Sequence, residues 1–437
     1  VRILSVDTSL LRNDALISAA SVRALYQSRN YSLQWYDTGS LKRTGDSLLY
    51  FITNADQFGL IPEDYHLQRL DSLVKRNNSD DEIVEIDMLL SDSFFAIRSH
   101  LKNGRVDPKT FTMISYSDSI DQDGVSLLKS NLQNILVHKA FISQEPPHYQ
   151  YHILKDSLQQ FLAIDAPDSL MVLKIEKIQV TMERWRHVKE FPDRYIHVNI
   201  PAYRLYVMEA SDTVLTSNVI VGKPISKTPE LESIITSFII YPYWHVPRGI
   251  ATKEILPSIK RDSMYLVNHN YEVLDAWGEV QDAATIDWQS LSEDNFPYQL
   301  RQQEGRENSM GIVKFMFKNP YGVYLHDTNS RRLFSKDVRA FSHGCVRVEQ
   351  RRDLARYLVR DDNVYVTADD VDQYISLQQR IEIRVRKPLP LFIQYFTCEF
   401  NNGILHYYND IYQKDFLILQ ALQKLNGQQH LAANFQP

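Results

Sequence analysis

A thiol, two imidazoles, a glycine and a guanidinium fall within residues 326–347 of this chain. His326 stands in Leu325-His326-Asp327-Thr328, followed by Ser342-His343-Gly344-Cys345-Val346-Arg347. Those groups suit acyl transfer through sulfur. A thiol attacks a carbonyl only as thiolate, and an ordinary cysteine, with a pKa near 8.5, is mostly protonated at neutral pH. A neighbouring imidazole can take that proton. Glycine lets the backbone approach a substrate closely and present N–H groups to a developing oxyanion. The chain has 437 residues and 2 cysteines, so a cysteine inside such a cluster points to function.

Cys345 is the candidate nucleophile. His326 and His343 are the candidate base and its companion, which lines the oxyanion region or orients the thiol; the spacing leaves the two roles exchangeable. The backbone N–H groups of Gly344 and Cys345 are candidates for the oxyanion hole. Ser342 is expected to hydrogen-bond within the loop, and Arg347 to brace it or bind a substrate carboxylate. Tyr324 precedes His326 by two positions and shares its face in a strand, whereas Asp327 points the other way and reads as structural. Tyr324 and Trp244 are candidate walls of the cleft. Cys398, in Tyr395-Phe396-Thr397-Cys398, reads as core. No metal or cofactor is expected: His326, His343 and Cys345 lack a fourth ligand at zinc-site spacing.

These residues need elements to hold them. The length suggests two or three domains. Hydrophobic residues are 44% and charged residues 23%, as in a globular protein. A net charge of -6 with no dense basic run makes nucleic acid a poor partner. No apolar run reaches the length of a membrane span. The chain opens at Val1 without a charged-then-apolar leader; a removed signal peptide and a trimmed N-terminus both fit. Two cysteines are too few for a disulfide scaffold, and Cys345 is expected to be free.

The fold class expected is α+β: a helical scaffold over 1–190, a mostly β catalytic domain over 191–370, and a tail over 371–437. Apolar residues recur at helical spacing at Leu48, Phe51, Ile52 and Ala55, with Gly59 as a C-terminal cap, and from Ile83 to Leu101. Tyr151, Leu154, Leu158 and Phe161 form another stripe, as do Ile175, Ile178, Met182 and Trp185. Alternation begins at Ile196, Val198 and Ile200 and recurs at Leu205, Val207, Val219 and Val221. Ala210-Ser211-Asp212 reads as a hairpin turn, and a helix carrying Leu354, Tyr357 and Leu358 should follow Arg347. Residues 248–305 are polar and mixed, as expected of an inserted lid or surface subdomain. Beyond Ile381 alternation resumes, and a helix is expected over Leu417–Leu425.

The stretch Ser342–Arg347, with His326 upstream, resembles the catalytic signature of L,D-transpeptidases with a YkuD-type catalytic domain. The wider chain is similar to the large YcbB-like subfamily. That similarity runs through Gly59–Tyr65, Met182–Arg186, Asn199–Tyr203, Val221–Pro224, Thr228-Pro229, Pro242–Pro247, Asn308–Gly311, Lys314–Phe317 and Arg339–Phe341. Two features depart from it. The small peptidoglycan-binding-like helical domain expected before Met182 is missing, and Gln303-Glu304-Gly305 stands where proline usually precedes glycine.

The resemblance implies peptidoglycan cross-linking in the periplasm. Cys345 would attack the carbonyl of the third stem residue and expel the terminal D-alanine. An acceptor stem's side-chain amine would then resolve the thioester. The resemblance puts the base at His326. It also implies stem peptides as partners and acylation of Cys345 by carbapenems. Two alternatives remain: an L,D-carboxypeptidase or other cysteine peptidase acting on wall stems, and an inactive wall-binding scaffold.

Overall fold

Ser79 opens the longest helix, Asp80–Asn103, through a capping box in which its hydroxyl accepts the Glu82 N–H and Glu82 accepts the Ser79 N–H. Asp80, Asp81 and Glu82 then meet the positive end of the helix dipole. This helix is buried nearly all round, through Ile86, Leu90, Phe94, Phe95, Ile97 and Leu101. Helices Ala19–Ser28, Arg43–Thr53 and Leu67–Val74 pack on it. A computed structural model describes residues 16–423, apart from 38–39, 76–77, 131–136, 189, 211 and 362–364. Val1, Ser211 and Leu425, which enter the expectations above, lie outside the described residues.

The chain divides into two units, Val1–Glu190 with Phe396–Pro437, and Phe191–Tyr395. The first unit contains the expected helices, including Tyr149–Leu162 and Ser169–Trp185. Only residues 163–168 connect those two helices, too few for an inserted domain. Gly59 ends a short helical turn in the left-handed conformation (φ 66°). Trp185 stacks between His148 at 4.3 Å and Phe396 at 4.6 Å. The tail is shared between the units. Its hairpin, Cys398–Asn401 with Ile404–Tyr407, and its helix Lys414–Gln423 belong to the first; its long strand belongs to the second.

The second unit is built on strands β1 (Arg194–Asn199), β2 (Arg204–Glu209), β3 (Asp212–Gly222), β4 (Leu231–Ile240), β5 (Val313–Phe317), β6 (Leu325–His326), β7 (Ala340–Ser342), β8 (Val346–Val348) and β9 (Ile381–Gln394). They run in the order β7-β3-β8-β6-β5-β4-β9-β1-β2, and β2 also pairs with β3. That last pairing closes a mixed barrel. Neighbours are antiparallel except at β6–β8, β7–β3 and β9–β1. Phe238, Phe315, Leu325 and Val346 are buried on one face. The helix expected after Arg347 is Arg351–Val359, with Leu354, Tyr357 and Leu358 buried.

Between β4 and β5 lies the expected insertion. Its four-stranded antiparallel sheet runs from Trp244 to Gln302 in the sequence. It has its own apolar cluster, including Val246, Ile255, Ile259, Val273, Phe296 and Leu300. Among the described residues no helix is long and apolar enough to cross a membrane.

Candidate active site

The β7–β8 connection carries Ser342, His343, Gly344 and Cys345. The Ser342 hydroxyl donates to the Cys345 carbonyl at 2.5 Å and accepts the Gly344 N–H at 3.1 Å. Gly344 adopts φ 113°, a conformation reserved for glycine. A second turn braces the loop from outside. Thr228 donates to the Gly344 carbonyl at 2.9 Å, and Ser226 to the Ser342 carbonyl at 3.1 Å. Gly222 is required there, since a Cβ would lie 2.1 Å from the Ser226 carbonyl oxygen. The Val221–Thr228 stretch is therefore the cradle of the cysteine loop.

The Gly344 N–H is spent on Ser342 and does not point to a substrate, contrary to its expected oxyanion role. The Cys345 N–H has no partner among the described residues. The Tyr324 backbone hydrogen-bonds the Cys345 sulfur instead, and the Tyr324 carbonyl accepts the Val346 N–H at 2.9 Å.

Register fixes the neighbours. Lys314 pairs with His326, and His326 with Arg347, across β5, β6 and β8. Cross-strand partners share a face, so these three side chains point to the same side. Tyr324 lies on that side as well, beneath the Lys314 ammonium, and Cys345 is near enough to feel the charges of both Lys314 and Arg347. The opposite row, Phe315, Leu325 and Val346, is fully buried.

The His326 ring is buried and its Nδ1 lies 2.5 Å from the Asp327 carbonyl oxygen. That bond puts the proton on Nδ1 and leaves the lone pair on Nε2. Burial first, then the charges of Arg347 and Lys314, push its pKa down to about 3 against the pull of the Asp327 and Met310 carbonyls. The ring is neutral at physiological pH. Asp327 faces away and is structural. Its carboxylate accepts the Ile312 N–H at 3.0 Å and Arg331 at 2.8 Å, with Arg351 at 3.4 Å.

Cys345 is half-buried and free; Cys398 is buried and free. Burial pushes the Cys345 thiol up, while the Tyr324 hydrogen bond and the charges of Lys314 and Arg347 pull it down. Burial wins, so the thiol dominates at neutral pH. The Cys345 sulfur and the His326 ring make no hydrogen bond to each other among the described residues.

Two family models match the chain. One, the L,D-transpeptidase catalytic domain, covers residues 193–366, and the other, the Scaffold domain, covers residues 20–158. The chain carries an L,D-transpeptidase catalytic domain behind an N-terminal Scaffold domain. It is 28% identical over 394 residues to the Haemophilus influenzae protein named "Putative L,D-transpeptidase", covering 90% of this chain and 77% of that protein. Among solved structures it is similar to the Ldtfm-avibactam carbamoyl enzyme (12% identity, TM-score 0.23, 47% of this chain and 49% of that one). It is also similar to the L,D-transpeptidase from Mycobacterium smegmatis (14%, 0.20, 46% and 58%). Mycobacterium tuberculosis L,D-transpeptidase 1 is a further likeness (15%, 0.16, 46% and 61%). The matches span between about half and three-fifths of those solved chains.

In this L,D-transpeptidase domain the two histidines have separate surroundings. The His343 Nε2 lies 2.7 Å from Glu254 on the insertion, so its ring is engaged there and not with the thiol. Trp244 packs with the insertion's apolar cluster and pairs with Gln302; no contact ties it to Cys345. Tyr324 lies under the Lys314 ammonium, 3.7 Å from its ring centroid. Lys314 is the site residue that sequence reasoning missed. Its signal was a lysine at the alternate position of the apolar run Val313–Phe317. Among the described residues no three metal-ligating side chains converge.

Proposed function

We propose that this chain is a peptidoglycan cross-linking enzyme in which Cys345 carries the acyl group. Neutral His326 removes the thiol proton, closing the gap to sulfur by ring rotation or through one water. The sulfur attacks the third-residue carbonyl of a donor stem. The oxyanion develops at the Cys345 N–H group. The carbon–nitrogen bond breaks, His326 returns the proton to the departing D-alanine amine, and a thioester remains. The side-chain amine of an acceptor stem then attacks the thioester, giving up a proton to His326 as the sulfur leaves. No bond energy is lost to water, so the exchange needs no nucleotide and suits the periplasm. Ser342 fixes the loop, and Tyr324 and Trp244 are proposed as cleft walls.

One observation carries this reading: a half-buried thiol feels the charges of the two cations beside a ring that burial keeps neutral. A protonated thiol needs a proton acceptor, and the His326 ring is unprotonated at physiological pH. The arrangement favours His326 over His343, whose ring is occupied by Glu254.

Mass spectrometry of purified tetrapeptide stems after incubation tests it. Wild-type protein is expected to yield cross-linked dimers, and Cys345→Ala to lower the yield at least about a thousandfold with unchanged melting temperature. Trimmed monomers alone would assign a hydrolase, and no change in the stems an inactive wall-binding scaffold. Carbapenems are expected to acylate Cys345 and spare buried Cys398, whose thiol burial pushes far up.

A further inference from the structure

Lys314 and Arg347 flank His326 on neighbouring strands, with backbones two strand spacings, about 10 Å, apart. Both are substantially desolvated. No carboxylate among the described residues pairs with either, and the buried Arg347 Nε has no hydrogen-bond partner. Three acids of the same unit are engaged elsewhere. Asp327 holds Arg331 and Arg351, Glu272 holds Arg301 at 2.6 Å, and Glu254 holds His343. Stacking over Tyr324 eases the Lys314 charge without neutralising it.

A cation kept out of water without a counter-ion is costly, and two side by side repel. Such a pair persists where a ligand supplies the missing charge. The thiolate of Cys345 does not supply it at rest, because burial keeps the sulfur protonated. An anionic ligand does.

We propose that Lys314 and Arg347 form a carboxylate site beside Cys345, which binds the free α-carboxylate of the residue that leaves the donor stem. This rests on the acyl-transfer reading above. In the donor only the leaving residue's nitrogen and α-carbon separate that carboxylate from the attacked carbonyl. A cation pair beside the thiol can therefore reach it. The site reads the end of the stem and selects donors that terminate one residue beyond the broken bond. His326, between the two cations, faces the departing amine.

The test compares the donor tetrapeptide with its C-terminal carboxamide by calorimetry on Cys345→Ala protein, where no turnover intrudes. The acid is expected to bind at least about tenfold more tightly. Lys314→Met in the same background is expected to remove that preference and leave carboxamide affinity unchanged, and Lys314→Arg to keep it. Equal binding of acid and amide, or a preference that survives Lys314→Met, would overturn the proposal. Failure of wild-type protein to cross-link either stem would count against the acyl-transfer reading, while the acid-over-amide comparison is decided by binding alone.

Discussion

In the helical unit Glu183 lies buried against Arg186 at 2.7 Å and the N–H groups of Arg105 and Val106; in the barrel Lys314 and Arg347 lie half-buried with no carboxylate partner. The first arrangement is closed in charge, each guanidinium meeting a carboxylate, although Arg105 and Arg186 also keep guanidinium nitrogens without hydrogen-bond partners. Arg105 meets Asp64, Arg184 meets Asp415, and Asp87 accepts the Tyr26 hydroxyl and three backbone N–H groups. Although burial alone would raise the Glu183 carboxyl, the nearby His187 ring, the Arg186 charge and the two N–H groups hold it well below the usual carboxylate range. The second arrangement is open. Both units bury charge, so buried charge alone does not mark a site. The missing counter-ion does.

Breaking the closed network should cost most. Glu183→Ala strands Arg186 and is expected to destabilise the protein by about 3–5 kcal/mol, read by denaturant unfolding. Acid should act next, and on both units alike. His326 in the barrel and His100 in the helical unit have folded pKa values lowered, chiefly by burial, to about 3 and about 4. Their unfolded forms, near 6.5, bind protons first as pH falls. Stability is therefore full above about pH 6.5 and declines towards pH 4, by on the order of 3 kcal/mol per ring. A melting temperature flat from pH 7 to 4 would contradict this.

Gly311 tests how the open site is held. It adopts φ 62°, and a Cβ would lie 2.4 Å from the Asp327 carboxylate. Gly311→Ala should cost about 1–3 kcal/mol and lower cross-linking further, since Asp327 carries the carbonyl that orients His326. The smallest effect sharpens the comparison most. Lys314→Met removes a cation with no carboxylate partner among the described residues and should leave stability within about 1 kcal/mol of wild type, or raise it. A loss as large as that of Glu183→Ala would show that Lys314 is paired after all.

Much of this was legible in the sequence where the forces are local. The stripe from Ile83 to Leu101 specifies a helix because spacing decides which side chains meet. The alternation at Ile196, Val198 and Ile200 specifies a strand for the same reason. Asp327 could be set aside as structural from alternation alone. The long strand Ile381–Gln394, expected as the alternating start of a tail, belongs to the barrel, and Lys387, Pro388 and Pro390 interrupt its alternation. It pairs between β4 and β1, and a register shift between Arg384 and Leu389 accommodates the interruption. The grip of Glu254 on His343 joins separate elements, and no local pattern announces it; for Lys314 the sequence offers only a lysine inside an apolar run, and its place beside His326 depends on strand register.

The account turns on the sulfur of Cys345. Peptide mapping by mass spectrometry, after brief reaction of the native protein with a carbapenem, tests it most directly. The account predicts one acyl adduct, on the peptide containing Cys345, and none on the peptide containing Cys398. An unmodified Cys345, or an adduct on Cys398, would contradict it.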